Sequence, residues 1–171
     1  SNDNHSIRVF RRTDTGNIAP IRTITGASTG LSGPKGIAVD TANNHIFVAN
    51  SYNHTITVYN RTDTGNVSPI RTISGTNTNL HSPTGIAIDT VHQEMFVTSG
   101  STNSIMVFNT TDNDNVAPKR PIEGASTGLH GTYGIVVDTA NDQIFAANTS
   151  TESITIYVRT ASGDVPPVRI I

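Results

Sequence analysis

Residues 34–59 read PKGIAVDTANNHIFVANSYNHTITVY. Three short runs in this stretch are rich in β-branched and aromatic residues: Gly36–Asp40 (GIAVD), His45–Asn50 (HIFVAN) and Thr55–Tyr59 (TITVY). The segments between them, DTANN and SYNH, are made of turn residues. Apolar runs of this length, bounded by Asn, Asp, Ser and Thr, read as strands. A fourth run, Ser68–Ile73 (SPIRTI), follows after NRTDTGNV. We name the four runs A, B, C and D. No segment spaces its apolar residues at the i, i+3, i+4 interval of a helix.

Working outward, the same pattern returns every 49 residues. Pro20, Pro69, Pro118 and Pro167 fall on this step, as do Gly36, Gly85 and Gly134. So do Asp40, Asp89 and Asp138, Phe47, Phe96 and Phe145, and the ring series Phe10, Tyr59, Phe108 and Tyr157. No insertion breaks the register. A strict period of this length marks a repeat architecture. Runs A and B are apolar on both faces, as in a covered strand. Runs C and D alternate, as in a strand half open to water. A and B are therefore expected inside and C and D outside, with the proline of run D on an outer edge strand where a missing N–H costs little. Four antiparallel strands graded from buried to wet describe a blade of a β-propeller. The fold class is all-β, about three and a half blades in one repeat domain over residues 1–171. It divides into a half-blade at 1–26 and blades at about 27–75, 76–124 and 125–171.

Composition narrows the function. Cys and Trp are absent, so disulfides and thiolate metal sites are excluded. The formal net charge is -2 and the basic residues are scattered, which argues against a nucleic-acid partner. No apolar run approaches the roughly 20 residues of a membrane-spanning helix, and no leader pattern opens the sequence.

The run Pro34-Lys35-Gly36-Ile37-Ala38-Val39-Asp40 followed by Ile46-Phe47-Val48-Ala49-Asn50 resembles the NHL repeat. Phe47-Val48-Ala49-Asn50 with Thr55-Ile56-Thr57-Val58-Tyr59 is similar to the related YVTN-type repeat of bacterial and archaeal surface proteins. In the third unit Thr132-Tyr133 replaces the Pro-x pair. The resemblance implies six- to eight-bladed propellers that are secreted, periplasmic or surface-attached. It implies fold more than function.

The strand inventory is CD, ABCD, ABCD, ABCD. Three and a half blades do not close a ring, and an open strand edge invites association. The expected partners are a second copy, giving a homo-oligomer or filament, or the rest of a longer propeller chain. Both spare ends are CD pairs, so two copies do not complete each other by simple exchange.

The candidate site is the face carrying the D–A and B–C loops. It would present Lys35, His81, Thr84, His130 and Tyr133 from D–A loops, and Asn50, Tyr52, Ser99, Asn148 and Thr149 from B–C loops. A protein or a glycan is the expected ligand, with no cofactor. His81 and His130 occupy equivalent positions and form a candidate metal pair, as imidazoles ligate zinc. The first unit has Ser32 at that place, which favours two loop histidines without a metal. Asp40, Asp89 and Asp138 lack the ligand pattern of a calcium loop and read as turn-closing aspartates. The loop at Asp112–Asn115 reads likewise as a solvated turn. Asn4, Asn53, Asn60, Asn66, Asn109 and Asn148 open Asn-x-Ser/Thr sequons. No nucleophile elbow or assignable carboxylate pair supports an enzyme. The expected function is a non-enzymatic extracellular scaffold or binding module. The alternatives are a subunit of a surface filament, or a metal-dependent lactonase- or lyase-like enzyme with its site in the channel.

Overall fold

The computed structural model describes residues 5–171. It contains fourteen strands and two single-turn 3-10 helices, Ala27–Thr29 and Thr76–Thr78. Strands β1 (Ser6–Val9) and β2 (Arg22–Thr25) pair alone as a half-blade. The first blade holds β3 (Pro34–Asp40), β4 (His45–Asn50), β5 (Thr55–Asn60) and β6 (Arg71–Ile73). The second holds β7 (Pro83–Asp89), β8 (Glu94–Ser99), β9 (Ser104–Asn109) and β10 (Arg120–Ile122). The third holds β11 (Thr132–Asp138), β12 (Gln143–Asn148), β13 (Ser153–Val158) and β14 (Arg169–Ile170). In each complete sheet the order is A-B-C-D, antiparallel throughout.

The turns explain the regularity. Between A and B, the Asp40 carboxylate accepts the N–H groups of Ala42 and Asn43 and the Asn43 side-chain amide. Asp138 repeats this with Ala140 and Asn141. Asp89 accepts the N–H groups of Val91 and His92 and pairs with the His92 ring. These are Asx turns. The Asn141 side-chain amide and backbone N–H hold the Asp138 carboxyl below its ordinary range. In the C–D loop, Asp63 and Asp112 accept the N–H groups of Asn60 and Asn109 in the same manner.

Two expectations are corrected. Run C is not half open in the first two blades: β5 and β9 are buried on both faces apart from their last residue, whereas β13 keeps Ile154 and Val158 exposed. Stacked blades cover both sides of a middle strand, and the alternation of Thr with Ile and Val records two different covers rather than water. Run D is shorter than read. β6 begins at Arg71, so Pro69 lies before the strand, in the loop.

Apolar clusters fill the joints between sheets. Phe47, Ala49, Ile56 and Val58 of the first blade meet Ile86, Met95, Val97 and Phe108 of the second. Phe96, Ile105 and Val107 of the second meet Ile135, Ile144, Ala146 and Tyr157 of the third. A fully buried side chain of this size stabilises by about 1.5–3 kcal/mol. The half-blade gives its joint less, mainly Ile7 and Ile24 against Ile46, Val48 and Tyr59. Glycines let the inner strands approach: a Cβ on Gly36 would stand 2.5 Å from the Thr84 carbonyl, and one on Gly85 would collide with that of Tyr133. The outer edges of β2, β6 and β10 are covered too. Gly65, Asp114 and Gly163, from the C–D loop of the following blade, bridge in parallel to Ile24, Ile73 and Ile122.

Candidate ligand-binding face

The structure brings the B–C and D–A loops together at one end of the blades, and most of their polar side chains hold the loops. Asn50 accepts the Ser32 N–H at 3.1 Å and donates to Thr57 Oγ1 at 2.9 Å. Asn148 accepts the His130 N–H at 3.1 Å and donates to Thr155 Oγ1 at 3.1 Å. Ser99 occupies the same station, accepting the His81 N–H and donating to the His81 carbonyl. Thr84 donates to the Thr132 carbonyl at 3.1 Å. Asn50, Thr84, Ser99 and Asn148 are buried, so these four expected surface residues pin the ends of strands B and A instead. Thr149 is exposed and donates to the Gly131 carbonyl.

What remains open is aromatic and basic. Tyr52 is 65% exposed, with its ring packed over Gly33, where a side chain would collide with it. The His5 ring meets Tyr52 edge-on at 5.9 Å. Tyr133 is 48% exposed, and the Lys35 ammonium lies 5.7 Å from its ring centre. Lys35, Thr84 and Tyr133 are equivalent positions of successive inner strands, each at an irregularity in A–B pairing.

His81 and His130 are both exposed. The ring that meets His81 belongs to His54, at 6.3 Å, beside a cleft of about 270 Å³ also lined by Asn53, Asn79 and Leu80. Among the described residues no three His, Asp or Glu side chains converge to hold a metal ion. His54 has a role that the sequence reading missed. Its Nδ1 accepts the Ser82 N–H at 2.9 Å across the joint. His5 and Asn103, one repeat away on either side, accept the N–H groups of Gly33 and Gly131. The 49-residue spacing of His5, His54 and Asn103 was the available signal: three acceptors in one position of the B–C turn.

Of the sequons, Asn53, Asn60 and Asn66 are exposed and Asn109 is half-buried. Asn60 and Asn109 bond the aspartate of their own turn, and Asn66 accepts the Ser28 N–H. Asn148 is buried with its amide nitrogen engaged, so the fold leaves no room there for a glycan. Asn4 lies outside the described residues.

One cluster of charge distinguishes the joint between the second and third blades. Glu94 opens β8 and is buried. Arg120 grips its carboxylate with two nitrogens at 2.7 and 2.8 Å, Lys119 reaches it at 2.7 Å and Arg159 at 2.8 Å. The Arg120 hydrogen bonds, with Lys119 behind them, outweigh burial and draw the Glu94 carboxyl down to about 2. Arg159 also bonds Asp142 at 2.6 Å. Every oxygen of Glu94 is occupied by a cation, which suits a structural clamp rather than a proton-transfer group.

Comparison with known proteins agrees with this architecture. The model of the NHL repeat matches residues 31–59, which hold β3, β4 and nearly all of β5. A chain of the nidogen/laminin complex superposes with a TM-score of 0.63 at 15% identity, over 88% of this chain and 51% of that one. A chain of Kuenenia stuttgartiensis hydrazine synthase does so with a TM-score of 0.62 at 16% identity, over 84% of this chain and 37% of that one. This chain thus spans about half of the first and less of the second, and at these identities the likeness is one of fold. No curated protein matches the sequence. The matched segment lies within one period of a repeat whose other periods form the same sheets in the same order, and the fold is accordingly that of β-propeller blades, with an NHL repeat recognised at residues 31–59.

Proposed function

We propose that the chain is a non-enzymatic binding and scaffold module of an extracellular, periplasmic or cell-surface propeller. It engages a protein or glycan through the face that carries Tyr52 and Tyr133, and other blades through its bare sheet faces. The observation that carries this reading is the division of labour on that face. Asn50, Thr84, Ser99 and Asn148 are tied to the loops, whereas two tyrosine rings and Lys35 stand exposed, as do His81 and His130. Exposed rings with a polar tip are suited to interfaces, because one end is apolar and the other is satisfied by water. The nidogen/laminin structure holds a propeller-like neighbour in a protein complex, which supports a binding role. Exposed sequons at Asn53 and Asn60 support a secretory route. Ile37 and Val39 on one side of the stack and Val136 on the other are bare, which favours assembly with further blades.

The test uses the intrinsic tyrosine signal. The chain lacks Trp, Tyr59 and Tyr157 are buried, and Tyr52 and Tyr133 dominate the exposed emission. Oligosaccharide and extracellular-protein panels are titrated against the chain and against a Tyr52→Ser/Tyr133→Ser variant. The expected result is saturable binding that the variant loses without a change in unfolding midpoint. Turnover of a lactone or uronate substrate with a stoichiometric divalent ion, abolished by His81→Ala and His130→Ala, would overturn the reading in favour of the enzyme.

A further inference from the structure

Two clefts open on the face that carries the B–C and D–A loops. One, of about 380 Å³, is lined by His5, Ala27, Leu31 and Asn53 among others. The other, of about 270 Å³, is lined by Asn53, His54, Thr76 and Leu80 among others. They are one cleft repeated. His5 and His54, Gly26 and Gly75, Ala27 and Thr76, and Leu31 and Leu80 each stand 49 residues apart. Each cleft takes residues of a D–A loop, with its 3-10 turn, and the histidine just before strand C of the preceding blade. A buried leucine lines each. The second cleft lies between two complete sheets, so the feature belongs to the repeat and not to the half-blade.

Asn53 lines both clefts. Its side-chain nitrogen donates to the Gly30 carbonyl at 3.3 Å, and its side-chain oxygen accepts the Thr55 hydroxyl at 3.0 Å. A shared lining residue held in this way makes the two clefts adjacent along the face, and one extended molecule can enter both.

The chemistry of the lining narrows that molecule. Among the described residues, no Lys, Arg, Asp or Glu lines either cleft. The histidines are committed at one nitrogen: His54 Nδ1 accepts the Ser82 N–H at 2.9 Å, and His5 Nδ1 accepts the Gly33 N–H at 3.4 Å. A neutral imidazole whose Nδ1 accepts carries its hydrogen on Nε2. Each ring therefore offers a donor and no lone pair, which suits a hydroxyl oxygen and not a cation. A ligand anion would find no full positive charge in the lining. A leucine beside a few fixed polar groups is the usual make-up of a small-molecule pocket, and these volumes fall near the lower end of the range of roughly 300–1,000 Å³. One ring-sized, neutral, hydroxyl-bearing unit per cleft meets all of these conditions.

We propose that the two clefts are consecutive subsites for a neutral glycan chain, one sugar unit in each, with Asn53 between them. Leu31 and Leu80 meet the C–H face of each ring, and His5 and His54 donate to its hydroxyls. The inference rests on the reading of this face as a binding face and narrows its ligand, but it does not use Lys35 or Tyr133.

The experiment titrates the whole chain, produced without glycosylation because a glycan on Asn53 would itself stand between the clefts. The probes are neutral gluco-, manno- and N-acetylglucosamine oligosaccharides from monomer to hexamer, with oligogalacturonate as the acidic control, and binding is read by calorimetry. Affinity for one neutral series should climb about 10²–10⁴-fold once the oligosaccharide is long enough to enter both clefts, the usual gain when a second contact becomes intramolecular. Oligogalacturonate should bind more weakly. Ala27→Met and Thr76→Met narrow the first and the second cleft at exposed positions. Each should return the affinity for the hexamer to about that for the monomer, with the unfolding midpoint unchanged. Long-range proton–nitrogen spectra should show His54 with its hydrogen on Nε2 and a shift of that nitrogen on binding. Affinity independent of length, hexamer binding unaffected by either methionine, oligogalacturonate binding as tightly as the neutral series, a His54 hydrogen on Nδ1, or no binding by any neutral oligosaccharide would each overturn the proposal. In that last case, protein binding that the Tyr52→Ser/Tyr133→Ser variant loses would leave the broader reading of the face standing.

Discussion

Strands β3 and β7 carry nearly one sequence, PKGIAVD and PTGIAID, in the same position of adjacent blades. Yet β3 alternates between exposed and half-buried residues, and β7 is buried along almost its whole length. The strands differ in what stands beside them. β7 has a full sheet on each face, whereas β3 has a full sheet on one face and two strands of a sheet on the other. Burial in a repeat protein is thus a property of the joint, as expected where each unit contacts only its neighbours. The comparison extends to charge. Arg120 and Arg159 enclose Glu94 at a complete joint, whereas at the incomplete one Arg22 donates to the Arg61 carbonyl.

The largest effect should come from breaking the complete joint at its charge. Glu94→Ala leaves Arg120 and Arg159 partly buried without their carboxylate, and removing one member of a buried ion cluster costs about 3–5 kcal/mol. Urea denaturation of the whole chain measures it, with His45→Ala as the control at the equivalent site of the joint that has no ion pair. Equal losses at the two positions would show that the clamp contributes nothing beyond packing. The same group gives a pH signature. Glu94 is held near 2 in the fold against an ordinary value of 4.5. Its contribution is therefore complete above about 4.5 and is lost as the pH falls toward 2. The wild-type chain should lose stability through that window, and Glu94→Gln should show a shallower slope there.

A smaller effect separates the two strands directly. Ile86→Ala opens a cavity in a packed joint and should cost about 2–4 kcal/mol. Ile37→Ala removes a half-exposed side chain from an open groove and should cost less than about 1 kcal/mol. Denaturation midpoints of the two variants test this. If the two substitutions cost the same, the half-blade covers β3 better than its exposure indicates.

The same distinction explains what could be read in the sequence. Strand order, the turn aspartates and the 49-residue step are local: each depends on a run of five to seven residues and the turn after it. Asp40 could be placed because its hydrogen bonds to Ala42 and Asn43 belong to the unit itself. The site residues depend on the joint. Nothing in the run HIFVAN reveals that the Asn50 amide turns back onto Ser32 and Thr57 rather than outward. Run C was misread for a similar reason, since a Thr facing the next sheet and a Thr facing water look alike in one chain. Glu94 was passed over because it interrupts the repeat. A single acid among His45 and Gln143 becomes meaningful only when Arg120 and Arg159 are seen to meet it.

The smallest effect concerns the ring at the end of strand C, where the blades again differ. Tyr59 donates its hydroxyl to the Thr29 carbonyl at 2.5 Å, and Tyr157 does the same to Thr127. Both hydroxyls are buried, and each fastens the D–A loop that leads into its own blade; burial raises both phenols above their ordinary value. The second blade has Phe108 in this position and makes no such bond from its ring. Tyr59→Phe should therefore cost about 1 kcal/mol, the net value of one buried hydrogen bond together with an acceptor left dry. Phe108→Tyr supplies a hydroxyl where Thr78 offers the equivalent carbonyl, and should gain less than that loss, because Phe108 already fills a tight joint. Hydrogen exchange at the Thr29 and Thr78 amides reports each loop separately. Faster exchange at Thr29 in the first variant and slower exchange at Thr78 in the second would show that the hydroxyl acts within its own unit. If neither changes, the neighbouring sheets fix the loop, and the joint decides even this contact.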